Sequence, residues 1–294
     1  MKKLRQFLYI SLIILLLSVF FYSGYQLFSY YRESAETSAD YDALSQLRQE
    51  ATTIPTTRPT APPEAAETTE TVPPETETQP DPNAGLTPMT HPVTGETVWM
   101  REEFCALFEV NPDIVGWILV EDTNIDYPVT QRPSEKDYYL KRDFYGKHSS
   151  RGCIYAREEC DIFSPTGVVT LYGHMMKDGT MFADLNNYMY PKYRDKNPHI
   201  RFDTLRETGL YEVICAFKTT ATVGKGFAYH LYTDFETQQE LDDFWAECTA
   251  RQFYDTGLTP TLGDKLLLLS TCEYTLENGR LVILARRIED SPGE

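Results

Sequence analysis

The sequence predicts an all-β domain with added helices, held at a membrane by a single N-terminal transmembrane helix. Residues 7–31 contain no charged side chain, and a stretch rich in Thr, Pro and Glu comes later in the chain. Beyond that stretch, short apolar runs recur at close intervals and are separated by turn-rich loops. Such runs are typical of β-strands, and their spacing favours a closed or nearly closed β-barrel.

The N-terminal apolar segment predicts an uncleaved signal anchor at residues 7–31. About 20 apolar residues suffice to cross the hydrocarbon core of a bilayer. The basic segment 1–6 precedes the anchor, so we expect the N-terminus in the cytosol, the anchor in contact with membrane lipid and the rest of the chain outside the cell. A cleaved signal peptide is the alternative, but its apolar core is normally shorter, roughly 7–15 residues.

The rest of the chain divides by composition. Residues 32–51 have helical apolar spacing and predict a juxtamembrane helix. Residues 52–97 hold too little apolar surface to offset the entropy of ordering, so we expect a disordered linker. The globular domain is expected at 98–290, followed by a short tail at 291–294.

Within that domain the apolar runs predict strands, and three segments predict helices. The helices are expected at residues 101–108, at 181–188, and after a capping box that begins at Thr233 and ends at Glu236. Apolar residues of this last helix have amphipathic spacing through Phe253, which favours a helix that covers one end of the barrel. The strands are expected at 114–120, 124–129, 152–156, 167–172, 200–202, 209–217, 265–272 and 281–285.

Three polar residues could carry chemistry. Cys272 ends one apolar run and Arg280 begins the next, so a thiol and a permanent cation would lie close together. A cation favours the thiolate, which is the nucleophilic form. His174 directly follows a predicted strand and could protonate a leaving amine. The alternative is that Cys272 is a buried core thiol.

Other classes of function find less support in the sequence. The formal net charge of −17 argues against a nucleic-acid partner. No C-x-x-C pair, Gly-rich phosphate loop or G-x-S-x-G motif occurs, so we expect no metal and no cofactor. Cys105, Cys215 and Cys248 lie in apolar patterns and are expected to be core thiols, whereas a disulfide between Cys153 and Cys160 stays open.

Taken together, the motifs resemble those of class B sortases. The matching segments are residues 111–118, 125–129, 171–176, 178–182 and 269–272 together with Arg280, and the helix after residue 235 resembles the insertion of that class. The chain has Leu268 where the usual Thr-Leu-Ser-Thr-Cys signature has its first Thr. The resemblance implies an eight-stranded barrel with Cys272 as nucleophile, His174 as acid and base, and Arg280 as the cation that stabilises the oxyanion. Arg286 and Arg287 are other candidates for the cation, although strand alternation points one of them away.

The resemblance also implies a function. We expect a cysteine transpeptidase that cleaves a C-terminal sorting motif of secreted proteins, similar to Asn-Pro-x-Thr-Asn or Pro-x-Thr-Gly, through a thioester. The acceptor would be an amine of a cell-wall precursor or of a pilin. Substrate binding is expected to involve Tyr172, Ser270 and Thr271. The alternatives are an extracellular cysteine endopeptidase, a pilin-polymerising sortase and a surface module with a degenerate site.

Overall fold

The computed structural model describes residues 2–53, 81–222 and 224–288, and the chain divides into two compact units, Met1–Leu44 and Ser45–Glu294. Helix α1 covers Lys2–Thr53. Among the described residues, it is the one helix that is long and apolar enough to cross a membrane. The predicted anchor and the predicted juxtamembrane helix both fall inside α1, so no break separates them.

A two-stranded sheet precedes the barrel in the sequence. Strand β1 (Thr87–Thr90) pairs antiparallel with β2 (Thr97–Met100), and helix α2 (Glu102–Val110) follows. This hairpin lies largely inside the predicted linker 52–97, of which residues 54–80 fall outside the described residues. Regular secondary structure therefore begins before residue 98. The last residue of the hairpin, Met100, is fully buried.

Eight strands close into a barrel, which confirms the eight-stranded architecture. Their order around the barrel is β10, β8, β7, β3, β4, β5, β6, β9, and β9 closes it by pairing with β10. Two of the pairings, β4 with β5 and β6 with β9, are parallel, and the others are antiparallel. The strands are β3 (Ile114–Leu119), β4 (Asp126–Thr130), β5 (Ile154–Ala156), β6 (Gly167–Tyr172), β7 (His199–Thr204), β8 (Leu210–Thr220), β9 (Lys265–Glu273) and β10 (Gly279–Ile288).

Strand β9 is buried on both faces, which explains its uninterrupted apolar run. Alternate residues of a strand point to opposite faces. Leu266 and Leu268 pack in a cluster with Phe244 and Cys248 of helix α4 (Gln238–Thr249), while Leu267 and Leu269, on the other face, are also fully buried. Helix α4 therefore packs on the strands through the apolar face that its amphipathic pattern predicted.

The predicted start of this helix was wrong by four residues. Thr237 is the N-cap, and its hydroxyl and the side chain of Glu240 form the reciprocal capping box. Thr233 cannot begin the helix because its carbonyl accepts a hydrogen bond from the backbone N–H of Val168, which ties it to the barrel. Phe235 instead packs on Phe244 at 5.2 Å between ring centroids.

The predicted helix at 181–188 is a 3₁₀ turn, Ala183–Met189, followed by the short helix α3 (Pro191–Lys196). The change between them occurs at Tyr190, whose extended backbone ends the first turn. Pro191 then begins α3, where a proline is well tolerated because the first N–H of a helix has no partner.

The last turns of α1 belong to the same unit as the barrel and are fixed there by Arg48. Its guanidinium donates to carboxylates of Glu103 and Asp203. It also lies 5.3 Å from the ring centroids of both Phe104 and Trp117. The Asp203 side chain is only 2% exposed, and its buried charge is compensated by this arginine together with the N–H of Gly209, which donates to the other carboxylate oxygen.

Candidate active site

A groove of about 560 Å³ opens where β6 and β9 end and β10 begins, and all three predicted chemical residues line it. Cys272 and Arg280 are direct cross-strand partners on β9 and β10. Side chains of directly opposite residues in an antiparallel pair lie on the same face of the sheet. The thiol and the guanidinium therefore project from one face.

His174 reaches the same groove from β6. Strands β6 and β9 are parallel, with Tyr172 opposite Ser270, and the N–H of Gly173 donates to the carbonyl of Ser270 at 3.2 Å. Parallel strands end at the same edge of a sheet, so the residues that follow Tyr172 and Ser270 emerge side by side. This register brings His174 and Cys272, which are far apart in the sequence, to one groove.

A backbone carbonyl orients the imidazole. His174 Nε2 lies 2.8 Å from the carbonyl oxygen of Leu140, which belongs to the 3₁₀ turn Tyr138–Lys141. A carbonyl oxygen only accepts hydrogen bonds, so Nε2 must carry the proton. The proton that comes and goes during a reaction is then the one on Nδ1.

Arg280 lies at the start of β10, directly opposite Cys272 on β9. Its Nη1 donates to the carbonyl of Gly279 at 2.9 Å. The other two candidates are engaged elsewhere, because Arg286 donates to the carbonyl of Thr259 at 3.0 Å and Arg287 to that of Thr208 at 2.9 Å. Neither Arg286 nor Arg287 lines the groove.

The three residues expected to bind substrate also line the groove, but with different exposure. Tyr172 is half-buried, and burial raises the pKa of its phenol well above the ordinary value, so it stays neutral. Ser270 and Thr271 are only 1% and 2% exposed. The Ser270 hydroxyl lies 2.6 Å from the phenol oxygen of Tyr229, so it supports the groove wall from within.

Several groove residues were not identified from the sequence. Tyr229 and His230 lie in a 3₁₀ turn between β8 and α4, where no apolar periodicity marks them. Burial, assisted by the positive charges of Arg157 and Lys136, lowers the pKa of His230. Both of these cations also line the groove. These side chains come from separate turns and loops, and only the folded barrel brings them to one groove.

All six cysteines are free thiols. Cys153 and Cys160 do not form the bridge that the sequence left open, and each is buried. Cys215 and Cys248 are core thiols as predicted. Cys105 is only partly buried, because it lies in α2 beside the fully buried Phe104 but not on the face that carries it.

This fold and groove match one family. The family model "Sortase domain" matches residues 118–288, which is more than half of the chain. The chain therefore belongs to the sortase family of cysteine transpeptidases.

The relatives narrow the family to class B. The sortase B of Staphylococcus aureus (strain NCTC 8325 / PS 47) is 32% identical over 194 residues, which covers 65% of this chain and 77% of that protein. A structure of a Staphylococcus aureus sortase B-substrate complex superposes with a TM-score of 0.66 at 26% identity, covering 88% of this chain and all of that chain. A structure of sortase B complexed with triglycine gives a TM-score of 0.64 at 25% identity, again covering 88% of this chain and all of that chain. The chain is a class B sortase.

Proposed function

We propose that Cys272, His174 and Arg280 carry out the transpeptidation, with the roles of nucleophile, acid and base, and oxyanion donor. The observation that supports this assignment is that the three side chains line one groove although they come from three different strands or strand ends. A nucleophile, a proton carrier and a fixed positive charge are the groups that acyl transfer to a thiol requires.

The first half of the reaction forms a thioester. The Cys272 thiolate attacks the scissile carbonyl, and the guanidinium of Arg280 stabilises the negative charge that develops on its oxygen. His174 gives its Nδ1 proton to the nitrogen of the leaving fragment, and the carbon–nitrogen bond breaks. The N-terminal part of the substrate stays on the sulfur as a thioester.

The second half transfers the acyl group to an amine. An incoming amine attacks the thioester carbonyl, and His174 Nδ1 takes up the proton that the amine loses. The tetrahedral intermediate collapses and releases the Cys272 thiolate. Because Nε2 stays bonded to Leu140 throughout, the ring keeps its orientation in both halves.

The substrate and the acceptor follow from the class. We propose a C-terminal sorting motif of a secreted protein, similar to Asn-Pro-x-Thr-Asn or Pro-x-Thr-Gly, as the donor and a cell-wall or pilin amine as the acceptor. The solved relatives described as a substrate complex and as a complex with triglycine support a peptide donor and an amine acceptor. We further propose that α1 crosses the membrane once at residues 7–31 with the catalytic domain outside, which the basic residues before this segment favour.

Two substitutions test the assignment. Cys272→Ala is expected to abolish cleavage of a fluorogenic sorting-motif peptide. Arg280→Lys is expected to lose at least about 100-fold in kcat, because removing an oxyanion donor costs on the order of 2.7–4 kcal/mol and a lysine lacks the planar fork. Arg251→Lys, in the turn after α4, where Arg251 pairs with Glu247, is the matched control and should keep full activity. Near-normal cleavage by Cys272→Ala would refute the assignment.

Analysis of the reaction products distinguishes a transpeptidase from the alternative, an endopeptidase. The peptide is incubated with enzyme and an excess of triglycine, and the products are resolved by mass spectrometry. A transpeptidase yields the triglycine adduct at the expense of the free acid. Free acid alone at every triglycine concentration would favour the hydrolase.

A further inference from the structure

A buried arginine lies behind the catalytic groove and contacts the loop that carries His174. Arg151 is 1% exposed. Its guanidinium forms an ion pair with Asp178 at 2.6 Å, and Nη1 donates to the hydroxyl of Thr180 at 2.8 Å. Both partners belong to the loop that begins at His174. Burying a guanidinium costs free energy unless it is paired, so this arrangement strongly favours one position of the loop.

The same loop is closed at its base next to the imidazole. The N–H of Phe182 donates to the carbonyl of His174 at 2.9 Å, and Met175 and Met181 form a β-bridge. Inside the loop, the Thr180 hydroxyl donates to Asp178 at 2.7 Å. Arg151 thus holds the middle of a loop whose base carries His174.

The segment around Arg151 also contacts the turn that orients the imidazole. The N–H of Cys153 donates to the carbonyl of Tyr139 at 3.1 Å. Gly152 adopts a φ of +62°, and a Cβ atom there would lie 2.7 Å from the carbonyl oxygen of Leu140. The backbone next to Arg151 therefore lies close against the carbonyl that accepts the hydrogen bond from His174 Nε2.

We propose that Arg151 is a positioning residue for His174. It joins the two structures that fix the imidazole, namely the loop that carries it and the turn whose carbonyl binds it. Elsewhere a carboxylate commonly orients a catalytic histidine by a direct hydrogen bond. Here a carbonyl makes that bond, and Arg151 keeps the carbonyl and the ring in register. The inference rests on the proposed role of His174, and Arg151 itself does not line the groove.

The test compares Arg151→Met, Arg151→Lys and Asp178→Asn in the full chain in detergent micelles. Arg151→Met is expected to lower kcat for cleavage of the sorting peptide about 100-fold, because a misplacement of about 1 Å costs that much. KM should change less than about twofold, since the groove lining is intact. Arg151→Lys, which keeps a charge for Asp178, is expected to recover part of kcat. Asp178→Asn keeps the shape of the side chain, and a smaller loss of kcat is expected.

A spectroscopic readout separates positioning from general destabilisation. Ring ¹⁵N shifts of His174, assigned with His174→Gln and recorded at a pH at which the ring is neutral, should report a single Nε2–H tautomer in the wild type. Arg151→Met and Asp178→Asn should give a mixture of tautomers. The control is Arg194→Met, which removes a half-buried arginine that donates to the carbonyl of Val213 at 3.1 Å and 3.0 Å. Val213 pairs with Ala285, at the end of β8 away from Arg280, so this variant should lose stability but keep kcat and the tautomer.

The outcomes are distinct. If Arg151→Met keeps the wild-type tautomer and kcat, the positioning role is overturned while the proposed function stands. If the tautomer changes as expected but the wild type forms no thioester with the peptide, the proposed function fails and the positioning geometry stands. If Arg151→Met does not fold, Asp178→Asn decides by the same two measurements.

Discussion

Cys272 is one of six cysteines, and the fold raises the pKa of four of the others, mainly by burial. Burial raises the pKa of Cys215 to about 12. Burial and the charges of Glu102 and Glu109 raise that of Cys105 to about 11. Burial likewise raises the pKa of Cys160 and of Cys248. A thiol reacts as the thiolate, so these four hold almost no reactive form near neutral pH.

Alkylation should therefore be selective. A limiting amount of iodoacetamide at about pH 7 is expected to modify Cys272 first, because it faces the groove opposite Arg280. Peptide mapping by mass spectrometry gives the site, and loss of peptide cleavage should track the modification. The matched controls are Cys272→Ala, which should take up little label, and Cys105→Ala, which should label like the wild type. Equal labelling of Cys105 and Cys272 would contradict the assignment.

His230 predicts a pH dependence of stability. Burial, Arg157 and Lys136 lower its pKa below the ordinary 6.5, so the unfolded chain binds more protons than the folded one just below that pH. Its contribution to stability is therefore complete above 6.5 and is lost as the pH falls through the folded-state value. We expect His230→Gln to flatten the urea-unfolding profile in this range. His199→Gln, at an exposed position on β7, should leave the profile unchanged.

At the level of secondary structure, helix α4 shows how tertiary contacts decide between two local signals. Both Thr233–Glu236 and Thr237–Glu240 carry the spacing of a capping box. The first is unused because the Thr233 carbonyl is bonded to β6 and Phe235 is packed on α4. Only the second can begin the helix.

Two substitutions measure which of the two capping boxes begins helix α4. Thr237→Ala removes the hydroxyl that accepts from the N–H of Glu240 and should lower the free energy of unfolding by about 1 kcal/mol. Thr233→Ala should cost much less, because Thr233 contributes its backbone carbonyl and not its hydroxyl. Urea unfolding followed by tryptophan fluorescence measures both. A larger loss of stability for Thr233→Ala than for Thr237→Ala would indicate that the helix starts at Thr233.

The strands were predictable and their partners were not. The run Leu266–Leu269 indicates a buried strand from composition alone, and Cys272 with Arg280 follows from the order of two adjacent strands. His174 could be singled out because it follows a predicted strand, but nothing local in the sequence states that β6 lies parallel to β9 and so brings His174 to the groove of Cys272. Arg151 was missed for a related reason, since Thr180, which it binds, lies 29 residues away and isolated arginines are usually exposed.

At the level of the whole chain, the folded unit begins well before the barrel. Arg48 compensates Asp203, whose side chain is 2% exposed, and contacts two aromatic rings. Removing one member of a buried ion pair leaves the other uncompensated, at a cost of about 3–5 kcal/mol. The last turns of α1 are therefore part of the catalytic unit in energetic terms.

Truncation tests this boundary. A fragment of residues 45–294 should unfold at a higher urea concentration than a fragment of residues 81–294, because only the longer one contains Arg48. The difference should largely vanish when Arg48→Ala is introduced into the longer fragment, whereas Arg32→Ala in the full chain should have little effect. Equal midpoints for the two unaltered fragments would show that Arg48 contributes nothing.

Closure of the barrel limits how a peptide can be held. Every one of the eight strands already has a hydrogen-bonded neighbour on each side, since β9 pairs with both β6 and β10. Ligands that extend a sheet add most readily to a terminal strand, and the closed order of the eight described strands leaves none of them terminal. We therefore expect an incoming chain to contact loop and turn residues that line the groove, such as Lys136, Thr222 and His230. Substitutions in these loops and turns are therefore expected to change which peptide is bound, while the paired strands that carry Cys272 and Arg280 stay as they are.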